Sequence, residues 1–233
     1  MAQGRDYCSE LVRGRDEDRW LAAQYASENA KRSLIALYAF QCELRRIPSA
    51  VSEPPLGEIR LQWWREALQE IRDGKPVRAH PVVEEIAAAE ILKLELTTLY
   101  DGVIDAAARP LYGEGFADID DLTSWLTTAE GAFDELAVLL MGGEDAISKA
   151  VRQAGAAFAL AREGKGLAAH LADDLRMQAR EMWAETRPLL RATNAATTPA
   201  ILHLSLTPSY LRKENPFPIA KRARLFTAMA FGM

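Results

Sequence analysis

Apolar residues recur along this chain at helical intervals. Leu61, Trp64, Leu68 and Ile71 fall at i, i+3, i+7 and i+10, one stripe of an amphipathic helix. Leu122, Trp125, Leu126, Ala129, Phe133, Leu136 and Leu140 repeat the pattern, with Asp118 or Asp120 placed to cap the start and Gly142-Gly143 to stop it. Between periodic segments stand the breakers Pro48, Pro54-Pro55, Gly74 with Pro76, Pro81, Pro110 and Pro199. The spacing predicts helices near residues 16–29, 31–46, 56–72, 81–108 with a break near Gly102, 119–141, 144–163 and 167–193, then a less regular tail. No run of alternating β-branched residues and no solenoid-period repeat is present. The expectation is all-α, one domain over residues 1–233.

Composition narrows the class. Among the 233 residues, 49% are hydrophobic and 26% charged, enough apolar material for a sizeable core. The net charge of −5 argues against nucleic-acid binding. That charge is uneven: from Leu206 onward Arg212, Lys213, Lys221, Arg222 and Arg224 face a single acid, Glu214. A basic end suits peripheral contact with a membrane surface as well as plain solvation. Cys8 and Cys42 make neither a disulfide framework nor a four-ligand zinc site, and reduced thiols fit a cytoplasmic protein. The opening twenty residues have no apolar h-region and carry acids unsuited to a transit peptide. No segment reaches 18 consecutive apolar residues.

Carboxylates four apart on a helix share a face, and two such pairs can hold Mg²⁺ against a diphosphate. Asp101-x-x-x-Asp105 and Glu130-x-x-x-Asp134 have the spacing. With 33 acids present it also arises by chance, so these four are weak catalytic candidates. The Asp118–Asp121 cluster reads as helix capping. His80, His170 and His203 show no ligand spacing, and His80 before Pro81 reads as structural. No GxSxG elbow and no P-loop spacing occur. Cys42 reads as a small core residue. In Trp63-Trp64-Arg65, adjacent helical positions point about 100° apart, so one Trp faces the core and the other a groove.

With those residues in view, the chain resembles the squalene/phytoene synthase family. The likeness rests on "RSLIALYAF" at 32–40, "LGEIRLQWWREAL" at 56–68 and "DGKPVRAHPVV" at 73–83, with weaker matches at 122–136, 150–160 and 205–213. It implies an isoprenoid-synthase-like helical bundle with a central cavity. Family enzymes join two prenyl diphosphates and resemble one another in two aspartate-rich motifs that hold Mg²⁺. The first follows "YAF" in the form DDxxD; here those positions read Arg45, Arg46, Ile47, Pro48 and Ser49. The second is not matched, since Asp173-Asp174 comes too late. Two unit charges 4 Å apart interact by about 4 kcal/mol at an effective dielectric of 20, so arginines in place of acids turn attraction for Mg²⁺ into repulsion.

Within the family, "AFQCELRRIPSAVSEPPLGEIRLQWWREALQEI" at 39–71 is similar to the non-catalytic branch that serves as complex I assembly factors. The lack of a transit peptide points to a bacterial relative. The expected function is therefore a pseudoenzyme. It would bind a protein partner and hold a lipid or isoprenoid in the residual cavity, working in the cytoplasm or at the inner face of the membrane. Arg45, Arg46, Glu43, Trp63, Trp64 and Arg65 are the expected binding residues, and no cofactor is expected. The alternative is a prenyl transferase using Asp101, Asp105, Glu130 and Asp134 as unorthodox Mg²⁺ ligands.

Overall fold

The helical periodicity is realised throughout the described residues, 2–191, 193–212 and 216–233 of a computed structural model, and no strand occurs among them. Lys213 and Glu214 of the expected basic end lie outside the described residues. Two compact units divide the chain, one of residues 1–23 and 27–114, the other of residues 24–26 and 115–233.

The first unit holds α1 (Ala2–Arg15), α2 (Glu17–Ala23), α3 (Glu28–Arg46), α4 (Pro54–Arg72), α5 (Pro81–Ala88) and α6 (Thr97–Ala106). Its centre is α3, buried without interruption from Leu34 to Leu44. Helix α1 packs on α3 and α5, yet it lies outside the predicted helices. Its inward stripe is Gly4, Cys8 and Val12, small side chains at i, i+4 and i+8 that bring the backbone close: a Cβ on Gly4 would lie 3.3 Å from the Pro81 carbonyl oxygen. The predicted helix over 16–29 is interrupted at residues 24–27. The predicted break at Gly102 lies elsewhere: Gly102 is inside α6, and the interruption falls between Ala88 and Thr97, where Glu90 takes φ 53°.

Several residues that carry the family resemblance shape α4 and its connection to α5. Near the start of α4, Gly57 admits the Leu111 side chain to within 2.2 Å of where a Cβ would stand. Gly74, at φ +68°, closes α4: its N–H donates to the Ile71 carbonyl and the Lys75 N–H to the Glu70 carbonyl, the paired bonds of a Schellman turn. His80 then caps α5 by accepting from the Val82 N–H, and Pro81 takes the first turn, where a missing N–H costs nothing.

The second unit holds α7 (Ile119–Leu126), α8 (Ala132–Leu140), α9 (Asp145–Leu167), α10 (Ala172–Leu190), α11 (Thr198–Ile201), α12 (Thr207–Arg212) and α13 (Pro218–Phe231). Helices α7 and α8 are the predicted 119–141 segment, interrupted by a π-helical turn at Thr127–Gly131. Asp118 caps the start by accepting from the Asp121 N–H at 2.9 Å, and a second Schellman turn at Gly142 and Gly143 ends it. The expected irregular tail contains the 14-residue α13.

Two glycines test this packing in opposite directions. A Cβ on Gly155 of α9 would stand 2.3 Å from Asp134 Oδ2 and 2.9 Å from the Gly131 backbone, so Gly155→Ala is expected to cost about 1–3 kcal/mol. Gly102 sits in a helix interior with nothing within 4 Å, so Gly102→Ala is expected to stabilise by about 0.5–1 kcal/mol. Urea unfolding of the two variants checks both signs.

Candidate functional site

At the C-terminal end of α3, Arg45 and Arg46 are exposed while Glu43, one turn earlier, is buried. Basic residues in a last turn complement the carbonyl end of the helix, and these two do more. With Arg15, Cys42 and Ser49 they line a cleft of about 220 Å³. Arg46 Nη2 lies 3.4 Å from Glu43 Oε2, and the Tyr7 hydroxyl donates to Glu43 Oε1 at 3.2 Å. Glu43 is thus a buried anchor that orients Arg46 at the rim. Burial and the Glu43 carboxylate push the Tyr7 hydroxyl above its ordinary pKa. Guanidinium groups around a cleft are suited to carboxylate or phosphate, which they bind in a planar, bidentate way without a metal.

The tryptophan pair divides in burial. Trp64 is buried, its ring 5.2 Å from Phe40, and Trp63 is half-buried. Trp63 is covered by the Arg78 guanidinium 5.2 Å above its ring. Arg78 is fixed in turn by Glu70 at 2.7 Å and Glu66 at 3.0 Å. His80 packs edge-on against both indoles, and burial lowers its pKa, so it stays neutral while capping α5. Arg65 pairs with Asp105. Arg32, from the "RSLIALYAF" segment, makes a bidentate pair with buried Glu85 at 2.5 and 3.1 Å and so ties α3 to α5.

The four carboxylate candidates fall in different surroundings. Asp101 and Asp105 are one turn apart on α6, Asp101 half-buried and Asp105 exposed beside Arg65. Glu130 and Asp134 are buried, Glu130 in the π-helical turn and Asp134 on α8. Asp134 Oδ1 lies 3.0 Å from His203 Nε2, both side chains fully enclosed. The His203 ring stands edge-on to Phe158, which meets Tyr210 in the same manner and carries Arg162 over its face at 4.7 Å. Sequence spacing missed this cluster because its members are some 70 residues apart. Its one signal was the pair Gly131 and Gly155, which let α8 and α9 touch. A general base must reach its substrate; an Asp–His pair with no exposed atom instead holds segments together. Among the described residues, no three His, Cys, Asp or Glu side chains are grouped as a metal ion would need.

The backbone of the chain matches a ligand-bound dehydrosqualene synthase at a TM-score of 0.71, with 14% identity, over 99% of this chain and 96% of that one. It matches the squalene synthase HpnC from Alicyclobacillus acidocaldarius at 0.67, with 13% identity, over 99% and 94%. The fold is that of the helical isoprenoid synthases. The squalene/phytoene synthase family model matches residues 12–172, and the chain belongs to that family. Curated relatives include NADH dehydrogenase (ubiquinone) complex I, assembly factor 6, from Mus musculus, 29% identical over 140 residues, 60% of this chain and 41% of that protein. The Homo sapiens counterpart is 26% identical over 145 residues, 62% and 43%. These matches thus span about two fifths of the relatives' own length.

Two measurements probe the clusters. Asp134→Ala and His203→Ala are each expected to cost about 3–5 kcal/mol, because each strands a buried polar partner, and the double variant far less than their sum. Additive losses in chemical unfolding would mean that the two side chains do not act as a pair. Burial, with Glu85 and Glu43 nearby, pushes the Cys8 thiol up to about 12. In Cys42→Ser protein at pH 8, Cys8 should therefore react with a disulfide reagent about a thousandfold slower than a free thiol. Free-thiol rates would refute that environment.

Proposed function

We propose that this chain is a non-catalytic member of the squalene/phytoene synthase family, a binding protein that helps to assemble a membrane complex of the respiratory complex I type. The observation that carries this reading is the end of α3. The positions that the family resemblance assigns to metal-binding aspartates are Arg45 and Arg46, and both line the cleft with Arg15. The names of the curated relatives point the same way.

The residues present do not fit a magnesium–diphosphate centre. Guanidinium groups repel the cation at α3, Asp105 is taken up by Arg65, and Asp134 stands against His203. The chain's residues instead provide a rim of fixed positive charge. Arg46 is oriented by buried Glu43, which is itself held by Tyr7, and Arg45 and Arg15 complete the cleft. An acidic segment of a protein partner is the ligand we assign to it. A lipid or isoprenoid in the residual cavity, and a cytoplasmic location at the inner face of the membrane, belong to the same reading.

The test has two arms. Purified protein incubated with labelled farnesyl or geranylgeranyl diphosphate and Mg²⁺ or Mn²⁺ is expected to release no diphosphate above the protein-free blank. Arg45→Asp protein, which leaves Arg46 on its buried Glu43 partner, is expected to lose capture of complex I subunits that the wild type retains. Robust turnover by wild type, abolished in Asp101→Ala/Glu130→Ala protein, would make this an enzyme with relocated ligands and overturn the proposal.

A further inference from the structure

The cleft at the end of α3 holds, beside its arginines, a hydroxyl that can carry an anion of its own. Ser49 stands in the 3₁₀ turn Pro48–Ala50 that follows α3. It is exposed, and its Oγ donates to the Arg46 carbonyl at 3.0 Å. The same side chain lines the cleft of about 220 Å³ together with Arg15, Cys42, Arg45 and Arg46, and no acid is among these lining residues. A hydroxyl is thus tethered beside guanidinium groups from two helices, α1 and α3.

A phosphoryl group on that oxygen would bring a charge of about −1.5 to −2 and three strong acceptor oxygens. At about 30 Å³ for a water-sized group, its four heavy atoms fit the cleft. Two features oppose it. The carbonyl end of α3 carries about half a negative charge, and buried Glu43 stands 3.4 Å from Arg46. Against them are set three guanidinium groups: Arg46, its neighbour Arg45, and Arg15 from the last turn of α1. Positive charge therefore outweighs the helix end and the one carboxylate. Guanidinium forks match phosphate oxygens, and an anion attached to the chain reaches them without the cost of association.

The sequence before Ser49 is a second sign, independent of the cleft. It reads Arg45-Arg46-Ile47-Pro48-Ser49, two bases three and four residues ahead of an exposed hydroxyl. Protein kinases choose substrates by such charge patterns, and an acidic substrate groove selects this one.

We propose that Ser49 is a phosphorylation site whose phosphate is taken up by Arg15, Arg45 and Arg46 and closes the cleft to an acidic partner. In the transfer, Ser49 Oγ bonds to the γ-phosphorus of a nucleoside triphosphate as the bridging P–O bond breaks. The nucleoside diphosphate leaves, and the hydroxyl proton passes to the catalytic aspartate of the kinase. Closure rests on the reading of this cleft as the site for an acidic partner segment; uptake of the phosphate rests on the geometry alone.

The experiment begins with the full chain, an arginine-directed protein kinase and ATP, the product being mapped by mass spectrometry. Phosphate is expected at Ser49 and is expected to be missing from Ser49→Ala protein. The phosphorylated chain is then titrated by ³¹P NMR. The second ionisation of phosphoserine, ordinarily near pH 6, is expected about one unit lower because the guanidinium groups favour the dianion. It should move back up in Arg15→Gln protein, whose altered side chain is exposed. Capture of subunits by the phosphorylated chain is expected to be about tenfold weaker than by the unmodified chain. No phosphate at Ser49 would overturn the acceptor assignment. An ordinary ionisation that Arg15→Gln leaves unchanged would overturn uptake, and equal capture with and without phosphate would overturn closure. Failure of the unmodified chain to capture subunits would remove closure together with the reading it rests on, whereas uptake is read separately from the titration.

Discussion

A carboxylate cannot be carried into a helical interior unless something meets it, because an isolated buried charge costs several kcal/mol, about 3–5 when one partner of a pair is removed. Much of this molecule is arranged around that constraint. Glu85 is met by the two-pronged Arg32, Asp134 by His203, Glu43 by Tyr7 and Arg46, Glu135 by Arg152, and Asp16 by the fully buried Arg19. Each pairing joins separate segments or fixes the turn it sits on. Of the four candidate cation ligands, Asp134 is held in this way by His203 and Asp105 by Arg65. Once a carboxylate has a guanidinium or an imidazole for a partner, its charge is spent.

The same constraint explains which parts of the family resemblance were informative. "DGKPVRAHPVV" reads, in three dimensions, as one connection: Gly74 in a left-handed turn, Arg78 returning to Glu66 and Glu70, His80 capping α5 and Pro81 starting it. "RSLIALYAF" contributes Arg32 to the tie with Glu85 and Phe40 to the packing with Trp64. These segments specify backbone path and helix contacts. The resemblance is therefore strong evidence for fold and silent on reaction.

Legibility followed the physics of each element. The long periodic helices α3, α4, α9 and α10 were visible because their apolar stripes are wide, and the stops at Gly74 and Gly142 because a left-handed turn favours glycine. Helix α1 was hidden because its stripe is Gly4, Cys8 and Val12, which bury by closeness of backbone rather than by bulk. The π-helical turn at Thr127–Gly131 was hidden because one extra residue in a turn leaves the overall spacing nearly intact. At the candidate site, Arg45 and Arg46 were readable from their place after "YAF". The burial of Glu130 and Asp134 was not: the sequence pattern made them solvated acids on an amphipathic face, whereas α8 is buried from Ala132 to Val138. Nothing local could have matched Asp134 to His203, since a pairing across that separation is a property of the fold.

The basic groups follow a different logic from the acids. A guanidinium that is paired inside, such as Arg19 or Arg32, is structural, and its partner is visible. Arg45 and Arg46 stand exposed at the rim of a cleft, and Arg224 is crowded by Arg187 and Arg212. Arg46 belongs to both kinds, exposed at the rim yet paired with the buried Glu43 behind it. In a chain with a net charge of −5, the end of α3 is a local concentration of bases. At α3 the cleft is small and its arginines oriented, which suits a discrete carboxylate or phosphate.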